Sequence, residues 1–176
     1  MKAIDLNILK GAIFTDDRRY RYALWRVWNQ SKPMLGCVGL NPSDANEFKN
    51  DPTITRGIVR ADRYGFGGFI MTNMHGLVST DPNALLNNPD AIGELNDYYI
   101  KQMVELTECQ ICGWGSFKPV KYRGSAVYSL LSNPVCLGVN DDGHPKHPLY
   151  VAYDVPMKHY ELREIEKLLP QIRYST

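Results

Sequence analysis

The sequence predicts a single α/β domain built as three layers, α-β-α, with helices on both faces of a mostly parallel central sheet of about four strands. Three observations carry that prediction. Short apolar runs bounded by turn formers alternate with segments of helical period. Two Asp-Pro pairs, Asp51-Pro52 and Asp81-Pro82, stand where helices should begin. A length of 176 residues fits one core that needs neither disulfide nor structural metal.

Taken in order, the aromatic and basic segment at 11–30 includes a stretch from Tyr20 to Trp28 expected to pack, as strand or short helix, on the outside of the sheet. Met34 to Leu40 is a short apolar run that stops at Asn41-Pro42, as a strand buried on both faces should. Asp51 then caps a helix with Pro52 in its first turn; Ile54, Ile58 and Ala61 share one face, and Gly65 ends it. Residues 68–72 are the second strand. Helices at 92–106 and 120–131 alternate with strands at 109–114 and 135–139, and a charged helix at about 157–169 closes the domain. That alternation implies right-handed crossovers, with ligands bound beyond the carboxyl ends of the strands. One domain over 1–176, with its core at about 34–150, is expected.

Composition narrows the function. A hydrophobic fraction of 44% and a charged fraction of 22% are ordinary, and no apolar run reaches the ~20 residues that span a bilayer, so no membrane partner and a cytoplasmic monomer are expected. The four cysteines sit in apolar segments and read as reduced core thiols; Cys109 and Cys112 fall on opposite faces of one strand. A net charge of +1 means that any DNA site is local, with Arg18, Arg19 and Arg21, or Lys118, Lys121, Arg123 and Lys146, as basic patches or merely solvated faces.

Four strand ends carry unusual loops: Gly39-Leu40-Asn41-Pro42-Ser43, Thr72-Asn73-Met74-His75, Gly113-Trp114-Gly115-Ser116, and the stretch from Gly143 to Tyr150. All four should meet at one sheet edge. In that order they resemble the motifs of the uracil-DNA glycosylase superfamily, of the mismatch-specific and single-strand-selective type. The first is similar to the water-positioning loop, Asn73 to the asparagine that reads the base, Trp114-Gly115-Ser116 to the next strand end, and His147-Pro148-Leu149-Tyr150 to the last motif. The chain also resembles a family of small bacterial and phage proteins that share the Asn-Pro-Ser and His-Pro-Leu-Tyr signatures.

The resemblance implies a glycosylase-like fold and hydrolysis of an N-glycosidic bond in DNA, single- or double-stranded, with the base flipped out, no cofactor and no metal. Base loss leaves positive charge on the sugar and negative charge on the base, so a placed water and donors aimed at the base suffice. Asn41 would orient the water, or else cap the following turn with Pro42. Asn73 would read the edge of a pyrimidine, or else bond its own backbone. His147 or His144 would donate to the leaving base, with Pro42, Ser43 and Phe48 about the base and Phe48 stacking on it. Lys146, Leu149, Tyr150, Ser116 and Lys118 would meet DNA, with Leu149 or Tyr150 as the wedge, and Trp114 would pack beneath the site.

The departures matter. The most active relatives have an aspartate where this chain has Asn41, and Lys146-His147 replaces a serine-bearing motif, so the expected base is a damaged or modified pyrimidine, including phage hypermodified ones, in repair or phage defence. Two other readings stay open. One is a non-catalytic nucleotide- or DNA-binding module on the same fold; the other is a metal-dependent phosphohydrolase using Asp141, Asp142, His144 and His147.

Overall fold

The computed structural model describes residues 2–86, 88–117 and 120–162. Seven strands form one mixed sheet: β1 (Lys10–Phe14), β2 (Arg21–Val27), β3 (Met34–Gly39), β4 (Gly68–Asn73), β5 (Cys109–Cys112), β6 (Pro134–Cys136) and β7 (Lys158–His159), in the order β1-β2-β4-β3-β5-β6-β7. The α/β class stands; the sheet is larger and less parallel than expected. The four strands read from sequence are its parallel block, β4-β3-β5-β6, while β1, β2 and β7 are added antiparallel at the two edges of that block.

The segment expected outside the sheet is inside it. All seven residues of β2 are buried, with Leu24 on one face and Trp25 and Val27 on the other. Its charges hide this: Arg21 and Arg26 interrupt the apolar run, yet both are buried because loop carbonyls accept from their guanidinium groups. The closing helix expected at 157–169 begins instead as β7, which pairs with β6; residues 163–169 lie outside the described residues.

Three helices fill the crossovers: α1 (Pro52–Arg63), α2 (Asn96–Glu105) and α3 (Val120–Tyr128). Asp51 caps α1 by accepting from the Ile54 N–H, Pro52 occupies the first turn, and Gly65 takes the left-handed conformation (φ 81°) just past the end. Ile54 and Ala61 join the buried cluster with Leu35, Phe69 and Ile111 on one face of the sheet. Tyr99, Ile100 and Met103 of α2, and Val127 of α3, join Val38, Ile70 and Trp114 on the other. The chain steps from β3 to β4 on one side, then from β4 across to β5 and β6 on the other. With right-handed crossovers that reversal places α1 opposite α2 and α3. It also sets the topological switch point at the carboxyl ends of β3 and β5, the place where ligands of such sheets bind.

All four cysteines are free and buried, and Cys109 and Cys112 lie in different clusters on opposite faces. No helix among the described residues is long and apolar enough to cross a membrane.

Candidate functional site

The four loops converge, and backbone hydrogen bonds hold them together. The N–H groups of Met74 and His75 donate to the carbonyls of Gly39 and Leu40, joining the β3 and β4 ends. Gly113 N–H donates to Val38 O, and Gly115 N–H to Pro145 O, which brings in the β5 end and the last loop. A Cβ at Gly113 would stand 2.6 Å from Pro148, so the last loop lies directly on the β5 turn.

Asn73, the last residue of β4, is 1% exposed and points to the α1 side of the sheet. Its Oδ1 accepts from Nη2 of Arg21 at 3.3 Å, while Nη1 of the same guanidinium donates to Ala45 O at 2.8 Å. That bond fixes the amide: the oxygen faces Nη2 of Arg21, and Nδ2 is left as the free donor. Nδ2 of Asn73 and Nε of Arg21 are buried donors without a partner among the described residues. Gly39 makes room for the amide, since a Cβ there would lie 2.8 Å from Asn73 Nδ2 and 2.5 Å from Met71 Cε.

Arg21 itself is 2% exposed and makes no ion pair among the described residues. Burial lowers its pKa to about 10, against the pull of the nearby Asp51 carboxylate, so it stays charged at neutral pH. Arg26 works beside it, bonding Asn46 O and Asn50 Oδ1, so two arginines of β2 clamp the segment that leads into α1.

His147 approaches from the same side. Its Nδ1 accepts from Leu149 N–H at 3.2 Å, which leaves the ring proton on Nε2 as a donor. Burial lowers its pKa and outweighs the raising effect of Asp51, so the ring is neutral at pH 7. Two arginines of α1 hold the chain that follows: Arg56 donates to Pro148 O and Val151 O, and Arg60 to the carbonyls of Val151, Ala152, Tyr153 and Val155. Asn73, Arg21, Asp51 and His147 are thus gathered on one side of the sheet.

The remaining candidates divide. Asn41 does not cap a helix, because none starts after it; its Nδ2 donates to Ser79 O at 2.8 Å and to Pro42 O at 3.1 Å, tying two loops together with Oδ1 left to accept. Pro42 is buried beneath it and Ser43 half-buried. His144 sits in a tight turn, its N–H on Asp142 Oδ1, while Ser116 also donates to that carboxylate and accepts from Asn140. Trp114 is core, edge-on to Tyr160. Phe48 (93%) and Tyr150 (84%) project into solvent, Lys146 is exposed and Leu149 half-buried. Lys118 lies outside the described residues. Among the described residues no three of His, Cys, Asp and Glu gather as a metal site, so Asp141, Asp142, His144 and His147 do not form one.

Sequence reasoning took Arg21 for part of a surface patch and Asp51 for a cap alone. The signal for Arg21 was there: a single arginine heading the apolar run Tyr22-Ala23-Leu24-Trp25. An open cleft of about 870 Å³ lies on the α2 side, between the β1–β2 turn and residues 89–95. Asp16, Asp17, Asp90 and Glu94 line it, a charge that repels phosphates, and none of the predicted residues does.

Residues 21–149 match the family described as protein of unknown function (DUF1643), and the chain belongs to that family. No curated protein and no solved structure matches it.

Proposed function

We propose that this DUF1643 protein is a DNA glycosylase that hydrolyses the N-glycosidic bond of a damaged or modified pyrimidine, on a fold of the uracil-DNA glycosylase type. The observation that carries the reading is the placing, on the α1 side of the sheet, of a buried amide with a free donor and a neutral histidine with its proton on Nε2. Asn73 reads the base edge, and His147 donates to the oxygen of the base on which negative charge develops. Between the two histidines, ring hydrogen bonding favours His147, whose Nδ1 accepts from Leu149 N–H and so leaves the proton on Nε2, whereas Nδ1 of His144 has no partner among the described residues to set its tautomer. Asn41 Oδ1 orients water at the sugar carbon. The glycosidic electron pair leaves with the base, the water oxygen bonds to the sugar carbon, and the proton the water gives up passes to solvent, from which the departed base anion takes one up. Tyr150 and Leu149 stand at the rim to hold the duplex open.

The test is incubation of the purified chain, in EDTA, with labelled DNA carrying uracil, mismatched thymine or phage-type modified pyrimidines. Alkali then cuts abasic sites and mass spectrometry identifies the released base. Release of a free base with an alkali-labile site is expected. DNA binding without release from any substrate would replace the reading with a binding module on the same fold.

A further inference from the structure

Among the described residues Arg21 is a buried cation with a nitrogen that no group takes up. Arg26 and Arg60 are comparably buried, but every nitrogen of the Arg26 guanidinium donates, to carbonyls and the Asn50 amide, both Nη atoms of Arg60 donate to carbonyls, and neither residue leaves a buried nitrogen unpartnered among the described residues. Arg21 keeps one N–H unused, has no carboxylate in contact, and lies 2% exposed beside a second unused donor on Asn73, itself 1% exposed. A buried charge that the Asp51 carboxylate attracts but does not touch is undercompensated unless a bound group supplies further opposite charge. Two unused donors on adjacent side chains, one of them cationic, are complementary to an edge that offers acceptors, and most of all to one that carries negative charge.

We infer that Arg21 and Asn73 together form the seat for an anionic ligand edge, the oxygen- and nitrogen-bearing edge of a pyrimidine that departs as its anion. This rests on the glycosylase reading and adds to it a specificity-determining residue outside the loops at the carboxyl ends of the strands. The roles divide by geometry. The bond from Arg21 to Asn73 Oδ1 sets which end of the amide is presented, and the cation makes the seat sensitive to charge. Selection then follows the acidity of the base: bases with an acidic ring N–H leave and bind readily as anions, whereas a base that stays neutral, such as cytosine, brings the cation no opposite charge. Ala45 O already occupies Nη1 of the same guanidinium, so the two donors left for a ligand are Nε of Arg21 and Nδ2 of Asn73, both buried.

The experiment is calorimetric titration of the full chain with free bases of graded acidity at one pH: 5-nitrouracil, uracil and cytosine. Binding is expected to follow acidity, with 5-nitrouracil about tenfold or more tighter than uracil, the factor a charge-assisted hydrogen bond contributes. That preference is expected to collapse in Arg21→Met. Equal binding of acidic and amino-bearing bases, no binding of any, or a preference that survives Arg21→Met would overturn the inference. If the Met variant does not fold, Arg21→Lys carries the comparison: it keeps the charge and loses the planar fork, so a reduced preference supports the seat and an unchanged one overturns it. Acid-dependent binding without base release from DNA would sink the glycosylase reading alone. Base release indifferent to Arg21 would sink this inference alone.

Discussion

Nη2 of Arg21 donates to Oδ1 of Asn73 at 3.3 Å, and neither side chain reaches solvent. The bond joins the first residue of β2 to the last of β4, two antiparallel neighbours whose pairing brings one strand's beginning beside the other's end. An antiparallel strand added to a parallel block thus delivers a cation to the carboxyl edge, where crossover loops deliver mostly neutral groups.

Replacing Asn73 with Ala removes a donor from the site and leaves Nη2 of Arg21 without its acceptor. Base release should fall about 100- to 1000-fold, the loss seen when one pre-positioned donor is deleted. Stability should fall by about 1–3 kcal/mol for the stranded guanidinium. Single-turnover assays and denaturant unfolding read the two separately. A variant that unfolds more easily yet releases base at the normal rate would remove Asn73 from the site.

Gly39→Ala tests the same amide from the other side. The added methyl meets Asn73 Nδ2 and Met71 Cε, both tips of side chains that can turn, rather than backbone. The fold should survive at a cost of about 1–3 kcal/mol. The amide should not keep its place, so ligand binding should fall further than stability does. Titration of ligand binding alongside thermal melting shows whether the two losses part.

How far the sequence could be read depended on the range of the interaction. The β3 run, the Asp51-Pro52 cap and the placing of Asn73 at the end of β4 are local patterns, and each is where the sequence predicts it, whereas His147 caps the short 3-10 turn Pro148–Tyr150, well past the end of β6 at Cys136. The β1–β2 hairpin was missed because arginines in a buried strand look like surface, and their burial depends on the carbonyls of Ala45 and Asn46, from a loop further along the chain. β7 is two residues long and has no periodicity to detect. The role of Arg21 is likewise a product of strand pairing, which no spacing encodes.

Asp51 has two functions that one pair of variants separates. Asn caps a helix as well as Asp does, so Asp51→Asn should leave stability near wild type, whereas Asp51→Ala should lose about 1 kcal/mol. In both variants the carboxylate that raises the His147 pKa is gone, so the imidazole should titrate lower still, as followed by NMR of its ring protons. An unshifted His147 titration would mean that the two groups are not electrostatically coupled.

Two histidines set the acid side of the stability profile. Burial lowers the pKa of His75, with a further push from Arg123, and burial also lowers that of His147; both start from an ordinary value of 6.5. Below that value the unfolded chain takes up protons that the folded chain does not, so stability is full above it and is lost as pH falls toward the folded values. Denaturant midpoints should therefore decline from pH 7 toward pH 5. His75→Gln should flatten that decline, and a decline unchanged by the substitution would place its origin elsewhere.

Tyr150 and Phe48 are the large apolar side chains most exposed to solvent at the rim, and neither supports the core. Tyr150 stands with its ring 5.6 Å from that of His147, where a wedge entering DNA would lie against the group that meets the base. Truncating either to Ala should leave stability within about 0.5 kcal/mol, as for surface substitutions generally. If they stack on bases, affinity for DNA should weaken by about 1–3 kcal/mol at each site, measured by fluorescence anisotropy at fixed salt. A loss for Tyr150→Ala alone would make it the wedge and leave Phe48 outside the interface; a loss for neither would move the DNA path away from this rim.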